Sequence, residues 1–207
     1  DKGWEFSAGV AGFTGVLIDY NQQMFIPDME SADLLLKRLE LYKRLFNQIA
    51  YVQKTGLENN RVATERNLLR TIDQLENYLD TTLENDPLLL VNFSPDISDG
   101  DISNWKEKAK VIIESNIRPS VLSYLEQLRT EHLPLGRPDD KSGIMWIEGG
   151  EDVYLRSLRK YTGHKDTTVK EVHEIGMTEI VRLKKEFFEV GKNVFSEVDS
   201  PEDVIHK

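Results

Sequence analysis

His173-Glu174-Ile175-Gly176-Met177 opens like the helical zinc signature H-E-x-x-H. In that signature two histidines four residues apart face one side of a helix and hold one ion, and the glutamate activates its bound water. Here the fifth position is Met177, so the second ligand is missing. Four residues after His132 stands Gly136, four after His164 stands Thr168, and His206 lies at the end of the chain. There is no cysteine, which removes thiolate zinc sites, iron–sulfur clusters, disulfides and cysteine nucleophiles. The expectation is no catalytic residue, no metal ligand and no cofactor site within these residues.

Other chemistries are equally incomplete. No G-x-S-x-G elbow exposes a serine nucleophile. Gly9-Val10-Ala11-Gly12 and Gly12-Phe13-Thr14-Gly15 lack both the P-loop lysine and the G-x-G-x-x-G order. Carboxylates such as Glu40, Asp73, Glu76, Glu107, Glu126 and Glu186 fall on outer helical faces, and Lys184-Lys185 is too short for a nucleic-acid patch. His173 is different, because 100° per residue places it in an apolar arc with Val169 and Ile180. Gly176 lies near the middle of that arc, where a close neighbour would explain a residue that costs about 1 kcal/mol relative to Ala. Overpacking by an added methyl, and a His173 at least half buried beside the contact, are the expectations.

These residues need helices to place them. The helical pattern begins at Ser31, with Leu35, Leu39, Tyr42, Phe46 and Ile49 on one face and Gly56 as a stop. A second helix spans about Thr64 to Leu83, and a third begins near Asp101 or Ser103 and runs toward Pro134, with a kink or break near Ile117–Arg118 caused by Pro119. Ile144–Ile147 reads as one short strand, Glu151–Tyr161 as a short helix, and Thr168–Phe195 as a long one opened by a Thr168/Glu171 capping box. The predicted fold is an all-α multi-helix array of five or six helices with at most one short β-hairpin. It is drawn as one helical domain, 1–207: an irregular Gly-rich segment over 1–30, long helices over 31–135, and a loop plus C-terminal helices over 136–207.

Composition supports a packed protein. Among 207 residues, 39% are hydrophobic and 30% charged, enough apolar material for a core. The net charge of −10 argues against nucleic acid and anionic lipid as partners. The charge-free run Ser7–Ile18 is shorter than a membrane span and lacks a signal peptide's basic start. The first residue is Asp1, as in a mature form or a cut piece.

The stretch from Ile117 to Phe187 also carries a resemblance. It reads I-R-P-S-V-L-S-Y-L-E-Q-L, then H-L-P-L-G-R, then G-G-E-D-V-Y-L-R-S-L-R-K-Y-T, then T-T-V-K-E-V-H-E-I-G-M-T-E-I-V-R-L. This order resembles the bacterial family known as domain of unknown function 885. Glu151, Tyr154, Tyr161, Thr162, Glu171, His173, Gly176, Glu179 and Arg182 fall on the family's positions, whereas Val153 replaces one tyrosine of a pair and Met177 replaces a leucine. Asp33, Arg38, Leu39 and Gly56 match the preceding helices more loosely.

The resemblance implies a helical part of a zinc-metallopeptidase-like hydrolase, with Zn held by the C-terminal half of a longer parent protein. That half is the implied partner, a peptide the implied substrate, and the bacterial envelope or an exported, lipid-anchored form the implied location. This chain would wall a substrate channel through Tyr154, Tyr161 and His173, whose aromatic surfaces and polar tips suit a peptide backbone. The alternative from a different class is a non-catalytic helical binding or scaffold module, in which the apolar faces hold a partner helix.

Overall fold

The computed structural model describes residues 23–195 and 199–205. The glycine-rich opening (Gly3, Gly9, Gly12, Gly15) and His206 lie outside the described residues. The protein is predominantly α-helical. Its helices are α1 (Met29–Glu40), α2 (Tyr42–Glu58), α3 (Glu65–Asp80), α4 (Asp99–Ile112), α5 (Arg118–Gln127), α6 (Gly150–Thr162), α7 (Val169–Val194) and the short α8 (Pro201–Ile205). Two strands, β1 (Phe25–Ile26) and β2 (Asn92–Phe93), pair in parallel with Phe25 opposite Asn92. Contacts divide the chain into two compact units, residues 1–148 and 149–207.

The core of the first unit forms around one long rod. Helix α4 passes through a π-helical turn at Ile113–Ile117 into α5, and a second π turn at Leu128–His132 follows. Each π turn sits two residues before a proline, Pro119 and Pro134. Proline has no N–H to donate, and its ring collides with the carbonyl four residues back. Widening the turn removes the collision, and the N–H groups of Arg118 and Leu133 reach back five residues, to Ile113 O and Leu128 O. Thus Pro119 produces a π turn inside a continuing helix, where the sequence pointed to a kink or break. Along the rod, Trp105, Ile113, Ile117, Val121, Tyr124 and Leu128 are buried.

Three helices lie on this rod: α1 against α4, and α2 and α3 against α5. Asp28 caps α1 through Ser31 N (2.8 Å), Thr64 caps α3 through Asn67 N (3.3 Å), and Ser98 caps α4 through Asp101 N (3.1 Å). The Trp105 indole donates to Ala32 O at 2.8 Å, tying α4 to α1. The periodic run from Ser31 to Gly56 is broken at Leu41 with neither Gly nor Pro to mark it. The Asn116 side chain, in the first π turn, donates to Glu40 O at 2.9 Å. That bond holds a carbonyl which a continuous helix would offer to Arg44, so the break comes from tertiary structure.

The predicted strand at Ile144–Ile147 is corrected. Ile144–Trp146 forms a 3₁₀ turn, with Trp146 N donating to Gly143 O (3.2 Å) and Ile147 N to Ile144 O (3.1 Å). Arg137 also donates to Gly143 O (2.9 Å), so this backbone closes on itself and offers no ladder edge.

In the second unit the capping box opens α7 as expected. Glu171 N donates to Thr168 Oγ1 (3.2 Å), and Thr168 N donates to the Glu171 carboxylate (2.8 Å). These bonds to Thr168 hold the Glu171 carboxyl below its ordinary range. Helix α8 returns onto the far end of α7. Gly191 is the point of closest approach, since a Cβ there would lie 2.5 Å from Val204 Cγ2, and Lys184 pairs with Glu202 at 2.8 Å beside it.

Candidate functional site

The motif helix α7 presents two different faces. Residues two apart on a helix differ by about 200°, so Glu171 and His173 point in nearly opposite directions. One face, with Glu171, Glu174 and Glu179, joins His164, Lys165 and Asp166 of the preceding loop around an open hollow of about 780 Å³. This hollow carries more acids than bases and sits at the start of the helix. The other face carries Val169, His173, Gly176, Ile180, Leu183, Phe187, Val190 and Val194.

The second face corrects one expectation. Nothing lies within 4 Å of a Cβ built on Gly176, and His173 is exposed. The apolar arc is present, but within this structure no backbone or bulky side chain presses on its middle. The close glycine contact of α7 falls at Gly191 instead, fifteen residues further on.

Tyr154 and Tyr161 lie two turns apart on one face of α6, 43% and 77% exposed. Lys160 Nζ stands 5.7 Å from the centroid of the Tyr161 ring. Tyr154, Tyr161 and His173 therefore all face solvent. None of them lines the acidic hollow, which is built from neighbouring motif positions.

Two buried polar centres in the first unit escaped the sequence reading. Asp86 is fully buried, and Arg118 donates to it through Nη2 at 3.0 Å and Nε at 3.3 Å. Arg118 Nη2 also donates to Thr81 O (2.6 Å), and Leu88 N donates to Asp86 Oδ1 (3.1 Å). The Tyr78 ring lies 5.8 Å from the guanidinium carbon, and burial, reinforced by Asp86, pushes the phenol well above its ordinary range. In sequence, Asp86-Pro87 reads only as a helix stop.

The second centre surrounds the second π turn. The Tyr124 hydroxyl donates to Gln53 Oε1 (3.0 Å), and Gln127 Nε2 donates to Ala50 O (3.1 Å). His132 Nδ1 lies 3.3 Å from Gln127 O, while its Nε2 is buried with no hydrogen bond of good geometry. Burial lowers the His132 pKa from its ordinary value, against an opposing pull from the Gln127 carbonyl.

The H-L-P-L-G-R stretch acts as a clamp. Arg137 Nε donates to Val62 O (2.7 Å) and Nη1 to Lys141 O (2.6 Å), fastening the entry to α3 against the 141–143 loop. Gly136 permits the approach, because a Cβ there would lie 3.0 Å from Glu65 Cα.

A metal would need three or more converging ligands, and among the described residues no group of His, Asp or Glu could hold one. No described helix is long and apolar enough to cross a membrane.

The family described as "Bacterial protein of unknown function (DUF885)" matches residues 2–207, and the chain belongs to it. No curated protein matches the chain. A crystal structure described as "the putative lipoprotein from Colwellia psychrerythraea" is similar in fold, with a TM-score of 0.75 at 17% identity. The similarity covers 92% of this chain and 34% of that one, so this chain spans about a third of the solved protein's length.

Proposed function

We propose that this chain is the helical, substrate-positioning part of a metallopeptidase-like hydrolase of the bacterial envelope, completed by the remaining part of a longer polypeptide. The observation that carries this reading is the exposed motif helix, with an acidic hollow on one face and an uncovered apolar stripe on the other. Supporting it are the family membership and a fold relative about three times as long, whose description as a lipoprotein suggests the envelope.

Among the described residues no group of His, Asp or Glu could hold a zinc ion by itself; this reading places the metal in the remaining part of the polypeptide, where it would supply activated water. This chain's contribution would be positional. Tyr154 and Tyr161 would offer hydroxyls to peptide carbonyls, His173 a further polar contact, and the helical wall would exclude bulk water.

The test compares this chain with the longest natural polypeptide that contains it. The chain by itself is expected to hold no stoichiometric zinc and to hydrolyse no peptide. The longer form is expected to hold about one zinc and to lose peptide hydrolysis on chelation. Tyr154→Phe and Tyr161→Phe should then raise KM more than they lower kcat. A longer form free of zinc and of hydrolysis would overturn the reading in favour of a non-catalytic helical binding module.

A further inference from the structure

The apolar face of α7 has a sharper pattern than general amphipathicity. Val169, His173, Gly176, Ile180, Leu183, Phe187, Val190 and Val194 follow one another at spacings of four and three in strict alternation. That is the seam of a left-handed helix pair, in which each residue becomes a knob or frames a hole. It extends over roughly 37 Å at 1.5 Å per residue. Ile180, Leu183, Phe187 and Val190 are 49–62% exposed, where a finished seam would be buried. With Pro201 they line an apolar groove of about 540 Å³.

The flanks of the seam differ in charge. Lys170, Met177 and Lys184 border one side, and Val172, Glu179 and Glu186 the other. A second copy of this chain is a poor occupant in either direction. Antiparallel copies would set lysine flank on lysine flank and glutamate flank on glutamate flank. Parallel copies in register would bring the glutamate flank to the lysine flank, but they would set Gly176 on Gly176, leaving a void, and His173 on His173. The seam instead asks for an unlike helix. That helix would bring a bulky apolar knob over Gly176 and a polar group to His173; the flank charges already have partners within this chain, Lys184 with Glu202 and both Glu179 and Glu186 with Arg182, so the apolar seam carries the recognition.

We propose that the α7 seam is occupied by a helix from the remaining part of a longer polypeptide of this family. The similar solved chain has about two-thirds of its length outside the matched region. The proposal rests on the reading that this chain is completed by another segment, and it names the face, register and chemistry of the contact.

Leu183→Cys tests it, since the 207 residues hold no other thiol. Maleimide modification should be fast in this chain alone. It should slow by an order of magnitude or more in the longest natural polypeptide, with that form's other cysteines replaced. Gly176→Leu supplies a second measurement: no loss of thermal midpoint in the short chain, and a clear loss in the long one. Equal labelling rates overturn the proposal. So does a thiol already protected in the short chain, by its own residues or by dimerisation, or a gene with no further helix. A protected thiol in a long form without zinc or hydrolysis leaves the seam standing and removes the hydrolase reading.

Discussion

The rod formed by α4 and α5 and the helix α7 both carry apolar residues along one side, yet these end in different places. Trp105, Ile113, Ile117, Val121, Tyr124 and Leu128 are at most 2% exposed, whereas Ile180, Leu183, Phe187 and Val190 remain about half exposed. Periodicity states that a helix needs a cover, and says nothing of which chain provides it. In the first unit α1, α2 and α3 are the cover. In the second unit α8 lies beside the C-terminal part of α7, with Val204 against Gly191, Glu202 paired with Lys184 and Pro201 at the edge of the groove, and it leaves the stripe about half exposed.

The contrast is broken most strongly from inside the first unit. Arg118→Met removes the cation from a fully buried carboxylate while keeping much of the side-chain volume. Asp86 then stays buried without its cation, with Leu88 N still donating to it. Losing one partner of a buried pair costs about 3–5 kcal/mol. Urea unfolding should show that loss, and an unchanged midpoint would mean that the pair contributes nothing to the covered rod. The double variant Arg118→Met/Asp86→Leu should recover much of it, because an apolar pair leaves no charge stranded.

Next in size is Gly191→Ala. The added methyl meets Val204 on α8, and relieving the clash costs about 1–3 kcal/mol. The damage should be local, seen as faster amide exchange across 201–205 with the first unit's melting unchanged. Retained protection there would show that α8 shifts without undocking, and that α7 is even less covered than it appears.

Much of the first unit was legible because its signals are local. The start of α3 at Thr64 acts within a few residues of itself, and so, in the second unit, does the Thr168/Glu171 box. What stayed hidden depends on distant partners. The break at Leu41 is set by Asn116, and the burial of Asp86 by Arg118. The strand expected at Ile144–Ile147 failed because Arg137, several residues earlier, holds its backbone in a turn. The resemblance names Tyr154 and Tyr161, and both face solvent without lining the hollow. The acidic hollow could not be named from sequence, since it requires the loop from His164 to Thr167 to return beside Glu171 and Glu174.

Gly176→Ala sharpens the comparison from the open side. With nothing within 4 Å, the methyl gains helix propensity and meets no neighbour. The second unit should gain about 0.5–1 kcal/mol, the reverse of the sign expected from sequence. A loss in this chain alone would reveal a cover over the stripe that the structure does not contain.

The smallest effect belongs to pH and should be confined to the covered unit. His132 is buried beside Gln53, Gln127 and the second π turn, with Glu131 and Lys54 as its charged neighbours. Burial lowers its folded-state pKa below the ordinary value of 6.5, so the unfolded chain binds this proton more readily than the folded one. Stability from a neutral His132 is therefore complete above about 6.5 and is lost as pH falls through that value toward the lower folded pKa. Glu131 and the Gln127 carbonyl both favour the proton and offset part of the burial, while Lys54 opposes it, which keeps the net effect small. In His132→Gln, the fall in urea midpoint between about pH 7.5 and pH 5 should be shallower than in the parent. His164 and His173, both exposed in the second unit, serve as controls. If His173→Gln flattens the profile as much as His132→Gln, protonation is being felt at α7, and that helix must be covered in solution after all.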